Sequence, residues 1–387
     1  MLAGIGGQAQ SVAVGWELYE RTHSAFALGL VGLVSGLPVI LLALPAGHTA
    51  DRFDRKRIVT LSGLIGVLSS LILAGISWER GPIPLFYAAL FLAALAAAFN
   101  DPARVALLPQ LVTRGRFANA VTWNSTGYLT AAAIGPAIGG LMLAWTRGAP
   151  PVYLTNAVCG LVFVILIASI RGKQAVRSGE RMTLASLAAG FKFVRETGVI
   201  FAAITMDLFA VLLGGATTLL PVFAKDILHV GPSGLGWLRA APQVGALIMA
   251  LAIAHLPPMR RTGHKLMLAV AGFGAATIVF GLSRSFLLSM IMLFSLGALD
   301  AISMVIRSTL VQTRTPDVMR GRVSAVNAVF VDTSNELGGF ESGVTAALFG
   351  PLISVVAGGI GTLLVVAAVM KKWPELARLD ELHVESD

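Results

Sequence analysis

The stretch Gly47-His48-Thr49-Ala50-Asp51-Arg52-Phe53-Asp54-Arg55-Lys56-Arg57 interleaves two carboxylates with Arg and Lys side chains. On either side lie apolar runs, 26–46 and 58–77, without a single charged residue. Each run has about the 20 residues that a helix needs to cross a hydrocarbon core of about 30 Å. A dense charged segment between two such runs suits a chain that leaves a bilayer and re-enters it, with Gly47 permitting a tight turn.

The rest of the sequence repeats this alternation. Of 387 residues 56% are apolar and only 13% charged, with a mean hydropathy of +0.80. A soluble chain carries about 25% charged residues, so a soluble fold is excluded. A bilayer accepts the excess apolar surface directly. Twelve runs are read, at 1–19, 26–46, 58–77, 83–99, 118–145, 150–170, 199–222, 233–254, 265–283, 286–306, 321–349 and 351–370. The expected fold class is an all-α membrane protein of twelve transmembrane helices.

The net charge of +9 does not mark a nucleic-acid protein, because Lys and Arg lie in short clusters between apolar runs. Cationic residues mark cytoplasmic loops, and alternate segments hold 23 of the 29. These segments contain Arg52 to Arg57; Arg104, Arg114 and Arg116; six between Arg171 and Arg195; Arg260, Arg261 and Lys265; Arg307 to Arg322; and Lys371, Lys372 and Arg378. Both termini are therefore expected in the cytoplasm, and losing one helix from the count would break the bias. The single Cys159 excludes a disulfide within one chain. No cleavable signal precedes the first span, which begins at Met1 without a cytoplasmic flank and suggests a late start or a truncated chain.

At a lag of 203 residues the two halves align. Arg57 meets Arg260, Arg104 meets Arg307, Asn124 meets Asn327, Gly135 meets Gly338 and Gly140 meets Gly343. Two parallel six-helix bundles follow, at 1–170 and 199–370, with a cytoplasmic linker at 171–198 and a tail at 371–387. Such repeats bind substrate near the midplane and alternate access by rocking.

The Gly47 to Lys56 segment resembles the G-x-x-x-D-R-x-x-R-[RK] loop of the major facilitator superfamily, and Asp54, where many members have Gly, is similar to the siderophore-exporting subgroup around the enterobactin exporter. Asp101-Pro102-Ala103-Arg104, Leu108-Pro109-Gln110, Trp123-Asn124-Ser125, Arg320-Gly321-Arg322-Val323-Ser324 and Ser334-Asn335-Glu336-Leu337-Gly338 carry the same resemblance. It implies the major facilitator fold and a cytoplasmic latch between Asp51 and the start of span eleven, near Gly321 to Ser324. Gly47, Asp51, Arg52, Arg55, Lys56, Arg104 and Arg322 are its expected members, joined by Asp300 and by Arg307 two turns further along span ten. Gly135-Pro136-Ala137-Ile138-Gly139-Gly140 is similar to the G-P-x-x-G-G element of exporters in the superfamily, in which Pro136 kinks the helix and Gly135, Gly139 and Gly140 admit a neighbour. Span four has no Arg where many drug/proton antiporters carry one.

An ionisable residue within a span is a functional candidate. Asp207 in span seven shares a helical stripe with Val211, Gly214 and Thr218, and Arg239 of span eight is within reach of an ion pair with it. Asp332 and Glu336 stand one turn apart with Asn335 beside them, which suits a proton relay. Asn124 and Tyr128 are uncharged candidates for contact with cargo, Glu17 is expected to snorkel, and Glu341 to lie at the outer surface. Metal-ligand spacing, phosphate loops and a Ser/His/Asp set are not found, so no cofactor, metal or enzymatic activity is expected.

These features lead to an expected secondary exporter of a small organic compound, siderophore or drug-like, in a bacterial inner membrane. Lipid, cargo and protons are the expected partners, nucleic acid is not, and a monomer is expected. A nutrient importer of the same fold and a non-transporting sensor remain alternatives.

Overall fold

The computed structural model describes residues 1–170, 184–256 and 261–379, and all regular structure among them is helical. In chain order come α1 (Leu2–Thr22), α2 (Ala25–Arg52), α3 (Arg55–Trp78), α4 (Ile83–Leu111), α5 (Phe117–Thr146), α6 (Pro150–Ser169), α7 (Leu184–Glu196) and α8 (Gly198–Leu213). Then follow α9 (Leu220–Val222), α10 (Gly231–His255), α11 (Thr262–Leu282), α12 (Phe286–Arg314), α13 (Asp317–Phe349), α14 (Pro351–Lys372) and α15 (Pro374–Ala377). Ten segments are long and apolar enough to cross a membrane, with Gly198–Ile227 counted as one. The other two expected spans are also helices, α1 and α13, whose polar side chains leave them outside that group.

The helices form two compact units, one of Met1–His23, Leu33–Met182 and Val230–Ala240, the other of Ser24–Gly32, Thr183–His229 and Ala241–Asp387. Lipid is as apolar as leucine, so close backbone approach and interhelical polar bonds do much of the work of holding such bundles together. In the first unit α1 packs on α5 and α6, and α3 on α4 and α6. A Cβ on Gly139 would lie 2.6 Å from the Ala9 backbone of α1, and one on Gly140 2.7 Å from Gly236 Cα of α10. In the second unit α11 packs on α12 and α14, and α8 on α13. There a Cβ on Gly338 would lie 2.9 Å from backbone oxygens of α8, and Gly343 faces Gly29 of α2.

The repeat is therefore visible in packing. Gly135 meets α1, the first helix of its half, and Gly338, 203 residues later, meets α8, the first span of the other. Gly140 and Gly343 likewise each meet a glycine. Pro136 is accommodated inside a continuous α5 of 30 residues.

Several helices overrun their apolar runs. α4 continues to Leu111, α12 to Arg314, and α13 starts at Asp317. Hydropathy marks lipid, whereas the hydrogen-bond ladder continues into water wherever polar residues tolerate helix. Gly47 lies inside α2, not in a turn; α2 runs on to Arg52 and the chain turns at Phe53 and Asp54. The expected continuous helix of span seven ends at Leu213. The next two residues, Gly214 and Gly215, press against Phe273 and against Ser342 and Gly338 of α13, so the stripe from Asp207 to Thr218 is broken. Within the expected linker α7 packs on α13, and residues 171–183 lie outside the described residues, as do 380–387 of the expected tail.

Candidate functional site

At the turn between α2 and α3 each charge has a defined task. Asp54 caps α3, accepting from the backbone N–H of Lys56 at 2.9 Å and of Arg57 at 3.3 Å. This cap satisfies N–H groups that the first helical turn leaves unpaired. Asp51 lies 3.6 Å from Arg55, whose guanidinium also donates to Ala50 O and to Ala106 O of α4, both at 3.0 Å. Lys56 donates to Ala168 O at 2.8 Å and Ile170 O at 2.7 Å, placing a cation at the negative end of α6. Arg52 is exposed, and Arg104 donates to Asn124 Oδ1 at 3.4 Å. The signature thus ties α2, α3, α4 and α6 together within the first unit. Arg322, in the second unit, points Nη1 at Met319 Sδ.

The second unit contains a buried ion pair that sequence reasoning did not assemble. Asp207 of α8 pairs with Arg307 of α12, and the two residues are 5% and 6% exposed. The apolar run stops at 306, which places Arg307 in the cytoplasmic network; instead α12 continues and turns the guanidinium into the bundle. The repeat held a signal: Arg307 aligns with Arg104, while Asp207 aligns with Gly4, so only the second half pairs this cation with an acid. A small cleft between α8, α11 and α12 is lined by Asp207, Val211, Phe273, Leu299, Asp300 and Ser303. Asp300 and Ser303 share the stripe of α12 that carries Arg307.

Asp207 and Arg239 do not pair. Arg239 belongs with the first unit, where it donates to Ser11 Oγ at 2.8 Å and Ser11 O at 3.5 Å. Glu17 is buried and does not snorkel: Tyr153 Oη donates to it at 2.8 Å and Arg21 at 3.2 Å. Sequence reading also missed a polar seam in which Asn156 Nδ2 donates to Gln10 Oε1 at 2.8 Å and Ser70 Oγ at 3.0 Å. The seam borders a cavity of about 280 Å³ inside the first unit, lined also by Ser62, Asn100 and Arg104. A search for polar residues at helical spacing across α1, α3 and α6 is the signal that would find it.

On α13 Asp332 and Asn335 are exposed and Glu336 is half-buried, its backbone oxygen facing Gly32 of α2. Asn335 Nδ2 returns to Val331 O at 2.9 Å, and Glu341 accepts from Thr345 at 2.8 Å. Asn124 and Tyr128 lie exposed on α5. Among the described residues no group of three or more His, Cys, Asp or Glu is arranged to hold a metal.

A sequence model of the transmembrane secretion effector family matches residues 1–386. The chain is 27% identical to the enterobactin exporter of Shigella boydii serotype 18 over 377 residues, 95% of this chain and 88% of the relative. It is 28% identical to the enterobactin exporter of Escherichia coli O81, with the same coverage. In fold it is similar to a bacterial homologue of the human lysosomal transporter Spinster in an inward-facing and occupied conformation, with TM-score 0.77, 13% identity and coverage of 97% and 96%. It also resembles a D-xylose–proton symporter, with TM-score 0.71, 16% identity and coverage of 97% of each chain.

Proposed function

Because the chain belongs to the transmembrane secretion effector family and is a transporter of the major facilitator superfamily, we propose that it exports a small organic compound by alternating access, driven by proton influx. The compound is a siderophore or a drug-like molecule of comparable chemistry, a reading supported by the enterobactin exporters to which the chain is similar. The protein works as a monomer in a bacterial inner membrane with both termini cytoplasmic.

The observation that carries proton coupling is the Asp207–Arg307 pair. Burying two charges in a bundle is expensive, and inside a membrane span such charges mark an ion or substrate path. A proton arriving on Asp207 removes the charge that holds Arg307, and Asp300 of α12 is a second acid lining the same cleft. Asp332 and Glu336 form a second candidate relay on α13, with Asn335 beside them. Asn124 and Tyr128 are candidate cargo contacts. Asp51, Arg52, Arg55 and Lys56 are candidate gate residues of the first unit, and Arg322 is a candidate gate residue of the second. The Gly135 to Gly140 element serves as the packing surface that lets α5 move.

Export of enterobactin into inverted membrane vesicles, with and without an acidified interior, tests this reading. Accumulation is expected to rise several-fold with the gradient and to lose that response in Asp207→Asn. Equal accumulation with and without the gradient in the unmodified protein would end the proton-coupling proposal.

A further inference from the structure

Among the described residues Arg239, a charge within a span of the first unit, has no recorded counter-ion. It stands in α10 about 9 Å beyond the start of its apolar run at 233, by a rise of 1.5 Å per residue. One turn earlier Gly236 lies against Pro136 O and Gly140 of α5, so this part of α10 is seated deep against its unit. Both recorded partners of the guanidinium are neutral, Ser11 Oγ and Ser11 O. Among the described residues no carboxylate approaches within ion-pair distance of it. Glu17, an acid of the unit's first helix, is already held by Arg21 and Tyr153. Arg307 in the second unit, by contrast, has its own aspartate.

A guanidinium presents five N–H donors in a planar fork. Two are directed at Ser11, leaving three and a side chain that is only partly buried. That is the donor set which grips a carboxylate or another oxyanion through two parallel bonds. A cation kept in a span with neutral neighbours is costly unless a negative charge completes it. We infer that Arg239, positioned by Ser11, is an anion-binding post for cargo, so that the transported compounds carry an anionic oxygen group which pairs with it. The inference rests on the transport reading and narrows its substrate class. The depth of Arg239 favours a solute over a lipid headgroup, although the oxyanion chemistry is shared.

The test measures binding, not transport. The purified full chain, its Arg239→Gln and Arg239→Lys variants are placed in nanodiscs of phosphatidylcholine, with and without phosphatidylglycerol, and titrated with salicylate and with its uncharged counterpart salicylamide while thermal unfolding is followed. Salicylate is expected to raise the melting temperature of the unmodified chain and salicylamide not to. Arg239→Gln should weaken the salicylate response by at least about tenfold, and Arg239→Lys, a point charge without the fork, should fall between. Equal responses to the two compounds, or none to salicylate, overturn the proposal. So does a salicylate response that survives in Arg239→Gln, or one that phosphatidylglycerol replaces through Arg239. If Arg239→Gln does not fold, Arg239→Lys carries the comparison at unchanged unliganded stability. Charge-selective binding in a chain that exports nothing sinks the export reading alone; export by a chain that binds both compounds alike sinks this inference alone.

Discussion

At Asp207 and Arg307 two opposite charges are withdrawn from water within one bundle, and removing one of them strands the other. Either Asp207→Asn or Arg307→Met should therefore destabilise the protein by about 3–5 kcal/mol, seen as a lower melting temperature of the purified protein. Replacing both together with apolar residues of similar volume should recover most of that stability, while gradient-driven export stays lost. Equal losses of stability in the single and double variants would show that the pair does not act as a pair. Asp54 makes a milder case. Its carboxylate caps α3, so Asp54→Ala should cost about 1 kcal/mol and leave export close to normal at permissive temperature. A loss of export without loss of stability would instead assign Asp54 to the latch. Hydropathy does not show this cap, because the charged segment around Asp54 does not say where α2 stops and α3 starts. Arg307 was misplaced for a related reason: the end of an apolar run says where lipid stops, not which way the next side chain turns.

Among the helices, the glycines sort into those that are filled and those that are free. Gly140 and Gly343 each meet another glycine backbone, so a leucine at either position has no room and separates two helices. Gly140→Leu and Gly343→Leu should both abolish export, the matching effects reflecting matching places in the two halves. Gly47, interior to α2, has nothing within 4 Å of where a Cβ would stand. Since glycine within a helix is destabilising by about 0.5–1 kcal/mol relative to alanine, Gly47→Ala should leave melting temperature unchanged or raise it. A fall in export in that variant, with the fold intact, would show that the residue is needed for movement and not for packing. The lag of 203 residues made the equivalence of Gly140 and Gly343 legible in advance. Their partners, Gly236 and Gly29, were not, because nothing in a helix's own sequence says which neighbour approaches it.

For the molecule as a whole the segregation of Lys and Arg predicts a topology that labelling can check. In a Cys159→Ser background, a cysteine at Lys192 of α7 should react with an impermeant reagent in inverted vesicles and not in intact cells, and a cysteine at Arg80 should do the opposite. Reaction of both from one side would mean that the number of crossings between them is wrong. Membrane class, the repeat, the approximate spans and the family were determined by the sequence alone, because lipid imposes a composition on every spanning residue and a duplication leaves its lag behind. Tertiary structure alone decided that Asp207 belongs to Arg307, that Arg239 rests on Ser11, and that Glu17 is held by Tyr153. Each of these pairs joins residues from different helices, and the heights and rotations that bring them together are set by packing between helices, which no single helix encodes.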